Sequence, residues 1–326
     1  MRVLLLSLLG AAIVVPLGFR IFAALRETGS AALLRPADGQ MVKTSMGTLH
    51  VLEMGPTDGP PLLLLHGTAA WSGLWRPVLE ALAQEGYRAV GMDMPPFGFS
   101  DRDPEGDYSR QRQAARVIAL ADALHIKPVL IAHSFGAGAG VEATMIAPER
   151  FAGLVVVDGA IGIAKPTEGD GTKAMPLPLR VRPLRELAVA LTATNPLMTR
   201  RLLASLLYVK DAATDEVVRV LQRPMRIAGS TRAFADWLPS LLVPPAGARS
   251  TDPANYRDFC LPTGIIWGSE DSITPVQQGE RLTGLIAGSS LTLIPETGHI
   301  PQIESPAAFI ASLRETLQAL RSQHGC

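Results

Sequence analysis

The chain has 326 residues, and 47% of them are hydrophobic, so it can form one large domain or two small ones and is not disordered over most of its length. Thirty Lys and Arg residues balance thirty Asp and Glu residues, which leaves no net charge to hold a nucleic acid. Two cysteines are too few for a disulfide framework or a thiolate metal site, and the six histidines lack a close metal-ligand spacing. We therefore expect no nucleic-acid partner, no metal and no cofactor.

An uncharged apolar run opens the chain. It covers Val3 to Phe19, 17 residues, and is followed by Arg20 and a second apolar patch from Ile21 to Leu25. This length is at the short end of what crosses a bilayer, and a tilted helix can include the second patch if Arg20 snorkels, so the run predicts a single membrane span at residues 3–25. We expect this span to anchor the protein in a membrane, on a side that the flanking charges do not decide. The alternative is a secretory signal whose cleavage leaves a secreted or periplasmic protein, although the run lacks a good A-x-A-like site.

Beyond a predicted linker, strands alternate with helices. Met41 to Gly55 has the pattern of a hairpin, and the apolar run Pro61 to Leu65 is typical of a strand buried on both faces of a sheet. Strands that alternate with helices predict an α/β fold with a mostly parallel central sheet flanked by helices. The other predicted strands are Arg88 to Met92, Val129 to Ala132, Leu154 to Val157, Gly264 to Trp267 and Ser290 to Ile294, and the predicted helices are Gly73 to Gln84, Arg110 to Leu124, one after Ser134, one after Pro275 and Pro306 to Leu320.

The alternation stops in the middle of the chain, where helix starts occur without strand-like runs. Residue pairs typical of helix starts are found at Asn195-Pro196, Thr214-Asp215 and Ser230-Thr231. This predicts an inserted helical lid. The predicted organisation is an N-terminal membrane anchor or signal at residues 1–26, a linker at 27–40, the first part of the core at 41–160, the helical insertion at 161–259 and the second part of the core at 260–326.

A serine stands where a predicted strand turns into a helix. Ser134 has Ala132 and Gly136 two positions away on either side, and a nucleophile at such a strained turn needs small flanking residues. His299 and Asp271 also follow predicted strands, and the carboxyl ends of parallel strands meet at one edge of a sheet, so the three side chains can meet. A serine hydroxyl needs an imidazole to accept its proton, and the imidazole needs a carboxylate that fixes its tautomer. The pattern predicts a catalytic triad of Ser134, Asp271 and His299.

These motifs resemble those of α/β-hydrolase-fold serine hydrolases of the esterase and lipase type. The resemblance covers residues 41–322 and departs from the family at two positions. Ala132 stands where the family usually has glycine, and Pro96 stands where a glycine is usual in the loop after Asp93. The matching segments are Leu65 to Thr68, Asp93 to Ser100, Ala132 to Gly136, Trp267 to Asp271 with Pro275, and Gly298 with His299.

The resemblance implies roles for further residues. The backbone N–H groups of Thr68 and Phe135 are expected to form the oxyanion hole that binds the substrate in the transition state. Some members of the family draw the acid from the strand end that Asp158 occupies here. Asp271 is favoured over it because Gly268 to Pro275 matches the usual acid loop in full.

The nucleophile also narrows the expected reaction. Dehalogenases and epoxide hydrolases of this fold carry aspartate at the strand-to-helix turn that bears the nucleophile, called the elbow. Here Ser134 occupies the elbow, which implies transfer of an acyl group to the serine and then to water. We expect hydrolysis of small carboxylic esters with an apolar acyl group, such as a monoacylglycerol-like lipid, beneath a lid that either faces a membrane or packs on its own domain. A carbon–carbon bond hydrolase of the same fold is the alternative, and a noncatalytic ligand-binding protein is the third possibility. The oligomeric state is left open.

Overall fold

An eight-stranded sheet forms the centre of the molecule. The structure is a computed structural model that describes the backbone of residues 2–163 and 174–322 and the side chains of residues 14–163 and 174–322. The strands are β1 (Gly39–Thr44), β2 (Gly47–Met54), β3 (Pro61–Leu65), β4 (Arg88–Met92), β5 (Val129–His133), β6 (Gly153–Val157), β7 (Thr263–Gly268) and β8 (Ser290–Ile294). Their order across the sheet is β1-β2-β4-β3-β5-β6-β7-β8. β2 pairs antiparallel with β1 and β4, and the other neighbouring strands pair in parallel, which confirms the predicted mostly parallel α/β sheet.

Helices cover both faces of this sheet. The helices are α1 (Arg2–Arg26), α2 (Ala31–Leu34), α3 (Arg76–Gln84), α4 (Arg110–Ala123), α5 (Phe135–Ile146), α6 (Arg182–Leu191), α7 (Pro196–Leu206), α8 (Asp215–Gln222), α9 (Ser230–Leu242), α10 (Gln277–Leu285), α11 (Pro301–Glu304) and α12 (Pro306–Ser322). Buried side chains of α4, α5 and α10 pack on one face, and those of α3 and α12 pack on the other. This explains the unbroken apolar run in β3, because Leu63 and Leu65 enter the first core while Leu62 and Leu64 enter the second.

Helices α6 to α9 lie between β6 and β7, in the interval where the sequence predicts an insertion. Residues 164–173 of that interval lie outside the described residues, and the domain limits stay a prediction. Two predicted caps are confirmed, since Asn195 accepts a hydrogen bond from the N–H of Leu197 at 3.1 Å and Thr214 accepts one from Val217 at 3.3 Å. The third pair marks the start of α9 at Ser230, as predicted, but neither of its side chains caps the helix. The residue before α9 is Gly229, with a φ of 75°, and the N–H of Thr231 donates instead to the carboxylate of Glu27.

The predicted membrane span at residues 3–25 is also wrong. In the part of the chain that the structure describes, no helix combines the length and the apolar character that crossing a bilayer requires. The second half of α1 contacts the insertion. Arg20 forms an ion pair of 2.9 Å with Glu186 of α6, Ala23 is fully buried, and Arg26 donates to the carbonyl oxygen of Thr194. The membrane-anchored localisation rested on this span and is overturned with it.

The segment predicted as a linker is bonded to the insertion as well. The Glu27 carboxylate is buried and accepts hydrogen bonds from the N–H and the hydroxyl of Thr231 in α9. Gly29 exchanges backbone hydrogen bonds with the chain around Ile227. The chain between α1 and β1 is therefore held against the insertion by buried polar contacts.

Candidate active site

Three buried side chains meet at the carboxyl edge of the parallel strands. Ser134 directly follows β5, Asp271 lies three residues beyond β7, and His299 lies in the loop after β8. Their exposed fractions are 7%, 6% and 3%. Because neighbouring parallel strands end at the same edge, residues that are far apart in the chain are brought together there.

Ser134 lies on a strained turn. Its φ of 52° and ψ of −121° are unusual for a residue with a side chain, and the surrounding backbone holds them. Its N–H donates to Val157, and its carbonyl oxygen accepts from Ala137 and Ala160, each at 3.0 Å. The turn is therefore fixed on both sides by the sheet and by the loop after β6.

The small residues flanking Ser134 have separate steric reasons. A Cβ added at Gly136 would lie 2.6 Å from the carbonyl oxygen of His66, so a larger residue would displace the loop after β3. Ala132 stands where glycine is usual, and its methyl group would lie 2.9 Å from a Cβ added at Gly140 of α5. Glycine at position 140 thus leaves the room that alanine at position 132 occupies.

The three predicted catalytic side chains form a continuous hydrogen-bonded relay. Nε2 of His299 lies 2.8 Å from Oγ of Ser134, and Nδ1 of His299 lies 2.8 Å from Oδ2 of Asp271. An ionised carboxylate only accepts hydrogen bonds, so Nδ1 carries the proton and Nε2 is free to accept the hydroxyl proton of Ser134. This is the arrangement that turns a weak serine nucleophile into a strong one.

Asp271 remains ionised in spite of its burial. Burial alone would raise the pKa of Asp271, but the hydrogen bond and the charge of His299, together with bonds from Thr274, outweigh it and lower the pKa below its ordinary value. Thr274 donates its hydroxyl to Oδ2 at 2.7 Å and its N–H to Oδ1 at 3.0 Å. Thr274 is not among the predicted site residues, although its position three residues after Asp271 is typical of a side chain that caps a turn.

The backbone groups predicted for the oxyanion hole lie on either side of Ser134. Phe135 is the first residue of α5, so its N–H has no partner within the helix. Thr68 lies in the turn after β3, and the preceding residue packs on the nucleophile, since a Cβ added at Gly67 would lie 2.9 Å from Cβ of Ser134. Among the described residues, neither the N–H of Thr68 nor that of Phe135 donates a hydrogen bond. The assignment of these two amides to the oxyanion hole stays a prediction.

The strand order, the strained serine and the relay agree with a match to a known family. The alpha/beta hydrolase fold family matches residues 60–306, which is more than half of the chain. This chain belongs to the alpha/beta hydrolase fold family. The predicted fold and the predicted hydrolase resemblance are confirmed, whereas the membrane anchor that accompanied the resemblance is not.

Relatives of this hydrolase include enzymes that act on carbon–carbon bonds. It is 28% identical to a 2-hydroxymuconate semialdehyde hydrolase from a Pseudomonas species, over 79% of this chain and 87% of that protein. It also resembles the structure of a 2-hydroxy-6-oxo-6-phenylhexa-2,4-dienoate hydrolase from Rhodococcus, with a TM-score of 0.69, 21% identity and coverage of 86% of this chain and 98% of the other. These names favour the carbon–carbon alternative over the expected ester cleavage.

A second solved structure matches almost the whole hydrolase. A membrane phospholipase A described as a bacterial virulence factor shares a TM-score of 0.68 and 22% identity, with coverage of 99% of this chain and 100% of that one. At this identity the likeness concerns the fold. This likeness therefore says nothing about the bond that the hydrolase cleaves.

The rival acid of the hydrolase, Asp158, contacts the relay without replacing Asp271. Its Oδ1 accepts the N–H of Gly268 at 2.9 Å, and no hydrogen bond between Asp158 and His299 is found in the described residues. Burial and the nearby charge of Asp271 raise the pKa of Asp158 well above its ordinary value. Its surroundings therefore favour the protonated form of Asp158, whereas the lowered pKa of Asp271 favours the charged form beside the imidazole.

The same three groups are the cluster in the described chain that could hold a metal ion. The ligand atoms of Asp158, Asp271 and His299 lie within 4.8 Å of one another. Nδ1 of His299 and Oδ2 of Asp271 are already bonded to each other, and a metal there would have to replace the proton between them. The hydrogen bonds of the relay and the contact of Asp158 with Gly268 account for the three groups without a metal.

Two buried histidines of the hydrolase hold the loops around the site. Nε2 of His133 donates to the carbonyl oxygen of His299 at 2.7 Å, and burial together with repulsion from His299 lowers the pKa of His133 to about 3. Nδ1 of His66 donates to Gly67 at 2.8 Å, its Nε2 accepts the N–H of Met94 at 2.9 Å, and burial lowers its pKa. Both imidazoles are neutral near pH 7 and act through the backbone.

The loop after β4 is closed around Asp93, where the second departure from the family pattern lies. Asp93 accepts the N–H of Ser72 at 2.7 Å and that of Phe99 at 2.8 Å, and its Oδ2 lies 2.8 Å from Nδ1 of His50. Burial opposes ionisation, but the hydrogen bond and charge of His50 outweigh it and lower the pKa of Asp93. The loop with Pro96 is thus tied to β2 and to the chain before α3.

An aromatic cluster packs beside the nucleophile and includes part of the insertion. Phe135, the residue after Ser134, lies 5.7 Å from Trp237 of α9, measured between ring centroids. Phe97 lies 4.9 Å from both Trp237 and Phe234. These edge-to-face contacts give α9 a defined position over the elbow. The insertion therefore contributes apolar surface next to the reacting serine.

Proposed function

We propose that this protein is a serine hydrolase that cleaves the bond between a carbonyl carbon and its leaving group. The observation that carries the proposal is the unbroken relay from Ser134 through His299 to Asp271, with both hydrogen bonds at 2.8 Å. A serine that merely capped a helix would not need a histidine and a buried carboxylate aligned behind it. The relay also favours a catalyst over a noncatalytic binding protein.

Each residue has a defined part in the reaction. Nε2 of His299 takes the proton of Ser134 while Oγ attacks the carbonyl carbon, and Asp271 stabilises the imidazolium that forms. The N–H groups of Thr68 and Phe135 stabilise the negative oxygen of the tetrahedral intermediate. His299 then gives its proton to the leaving group, and an acyl-enzyme on Ser134 remains. Water, deprotonated by the same imidazole, releases the acid and restores the hydroxyl.

The first candidate for the leaving group is carbon. A carbanion leaves only when its charge is delocalised, which requires a conjugated substrate such as a dienoate that carries a keto or aldehyde group. The supporting observation is the 28% identity with a 2-hydroxymuconate semialdehyde hydrolase over most of both chains. We place this class first because the similarity extends over 87% of that relative's length.

The second candidate is an ester with an apolar acyl group, which includes monoacylglycerol-like lipids. It is favoured by the surroundings of Ser134, where the partly buried Phe135 packs on the buried rings of Phe97 and Trp237. Transfer of an apolar acyl chain from water to such surroundings lowers the free energy of binding by about 0.8 kcal/mol for each buried methylene group. The ester and carbon classes share the acyl-enzyme and differ only in the group that leaves.

A direct comparison of substrates tests the proposal. The purified protein and Ser134→Ala are treated with a fluorophosphonate probe and then assayed on p-nitrophenyl esters of increasing chain length and on a 6-oxo-2-hydroxydienoate. We expect the wild type to be labelled and Ser134→Ala to be unlabelled. The kcat/KM of the wild type should be larger on the dienoate than on any of the esters. A larger kcat/KM on long-chain esters would put the ester class first. Absence of labelling and of turnover in the wild type would contradict the whole proposal.

A further inference from the structure

Glu304, the last residue of α11, holds four backbone N–H groups. Its carboxylate is buried, with an exposed fraction of 9% for the residue. Oε2 accepts from Tyr208 at 2.7 Å, from Val209 at 2.9 Å and from Gly298 at 3.0 Å, while Oε1 accepts from Ile300 at 3.1 Å. Hydrogen bonds to an ionised acceptor are shorter and stronger than those between neutral groups. One carboxylate thus accepts hydrogen bonds from the N–H groups of four different residues.

These four donors belong to two different parts of the molecule. Gly298 and Ile300 are the residues on either side of His299 in the chain, whereas Tyr208 and Val209 follow α7 in the insertion. Glu304 therefore connects the loop of the relay histidine to the insertion. Sequence reasoning missed this residue, and its only signal was a carboxylate within a mostly apolar stretch five positions after His299.

The contact between the two segments is made by backbone as well. The N–H of His299 donates to the carbonyl oxygen of Leu206 at 3.3 Å. A Cβ added at Gly298 would lie 2.5 Å from the N atom of Tyr208 and 3.0 Å from Oε1 of Glu304, so only glycine allows this approach. The backbone of His299 is consequently fixed at its N–H by the insertion and at its carbonyl oxygen by His133.

We propose that Glu304 is a positioning residue, which keeps His299 aligned with Ser134 only while residues 206–209 of the insertion stay docked on the histidine loop. The proposal rests on the proposed function of the relay and adds a residue that touches neither the substrate nor the reacting atoms. A displacement of the insertion would be transmitted to the base through the shared carboxylate. Because proton transfer depends on sub-ångström alignment, a small shift of the loop lowers the rate while leaving the substrate pocket in place.

The first test is Glu304→Gln, with Glu315→Gln as the matched control. Glutamine has a similar size but keeps only one acceptor oxygen, and its amide group faces N–H donors that then lose their partner. Glu315 is exposed on α12, so its replacement changes the charge alone. Steady-state kinetics are measured on the best substrate of the panel, and active sites are counted by fluorophosphonate labelling.

We expect kcat per labelled site to fall by about tenfold or more in Glu304→Gln, with KM changed by less than about twofold. Glu315→Gln should match the wild type. A residue that only stabilised the fold would reduce the number of labelled sites and leave kcat per site unchanged, and that result would overturn the proposal. If the wild type is not labelled and does not turn over substrate, the proposed function and this inference both fail. If only the variant result disagrees, the inference fails and the proposed function stands.

A second variant approaches the contact from the insertion. Val209→Pro removes the N–H that donates to Oε2 of Glu304, and the φ of −80° at Val209 is close to the value that proline requires. We expect a severalfold fall of kcat per labelled site and an unchanged KM, although residue 209 is outside the relay. If Glu304→Gln does not fold, Val209→Pro alone tests the proposal. A kcat per labelled site equal to that of the wild type would then show that docking of the insertion does not align His299.

Discussion

Nδ1 of His299 donates a hydrogen bond of 2.8 Å to Oδ2 of Asp271, and this contact orients the imidazole toward Ser134. The neighbouring carboxyl of Asp158 makes no such contact in the described structure. The pKa values of two acidic residues at adjacent strand ends therefore shift in opposite directions, because one is bonded to the imidazole and the other is buried beside a negative charge.

The two acids should respond differently to the same substitution. In Asp271→Asn the amide group faces Nδ1 and favours the wrong tautomer of His299, so we expect kcat to fall by about 10³-fold or more. Asp158→Asn keeps the side-chain oxygen that accepts from Gly268 and removes no hydrogen bond of His299, so we expect kcat to stay within about threefold of the wild type. Equal losses in the two variants, measured on the same substrate, would contradict the assignment of the acid.

The raised pKa of Asp158 predicts a pH-dependent cost to folding. The folded protein keeps this proton at pH values where the unfolded chain has lost it, so the stability contribution is complete below the ordinary pKa of 3.8 and is lost as the pH rises toward the folded value. Asp158→Asn removes the effect. We expect this variant to gain stability over the wild type by up to about 1.4 kcal/mol per pH unit above 3.8, until the folded pKa is reached.

The measurement is urea unfolding of both proteins at a series of pH values between 4 and 8. The two curves should converge toward pH 4 and separate as the pH rises. A difference that is constant across the series would show that Asp158 is ionised in the folded protein.

The crowded backbone around Gly136, two residues after Ser134, predicts that a larger residue there is destabilising. A methyl group there would lie 2.6 Å from the carbonyl oxygen of His66, so Gly136→Ala must displace the loop that carries Thr68. We expect a loss of about 1–3 kcal/mol in the free energy of unfolding and a lower kcat.

Gly284→Ala is the matched control, because nothing lies within 4 Å of the added methyl group in α10. Alanine in a helix interior should raise the stability of this control by about 0.5–1 kcal/mol. Thermal unfolding and activity of both variants provide the test, and a Gly136→Ala protein as stable and active as the wild type would refute the steric argument.

The buried contact of Glu27 with Thr231 predicts that the chain before the sheet stabilises the insertion. Glu27→Ala leaves the buried N–H of Thr231 without its acceptor, whereas the hydroxyl can still bond Thr194, and we expect a loss of about 1–3 kcal/mol measured by urea unfolding. The exposed Glu315→Ala should change stability by less than about 0.5 kcal/mol. Equal stability of the two variants would show that the contact contributes nothing.

Much of the site could be predicted from the sequence because its signals are local. The alternation of strands and helices predicted the sheet, and small residues around Ser134 marked the turn. Asp271 and His299 are recognisable by their positions after strands, because the carboxyl ends of parallel strands meet at one edge of the sheet whatever the length and conformation of the loops. The antiparallel hairpin of β1 and β2 is likewise predicted by a local signal, the residue pattern from Met41 to Gly55.

Other features depend on partners that are distant in the chain. The apolar run near the start predicted a membrane span, but Arg20 pairs with Glu186, 166 residues away. Glu304 acquires its role from Tyr208 and Val209, which no periodicity connects to it. The raised pKa of Asp158 follows from its burial beside Asp271. Hydrophobic patterns and turn chemistry report on neighbours within a few residues, whereas burial, ion pairing and pKa depend on which surfaces come together when the chain folds.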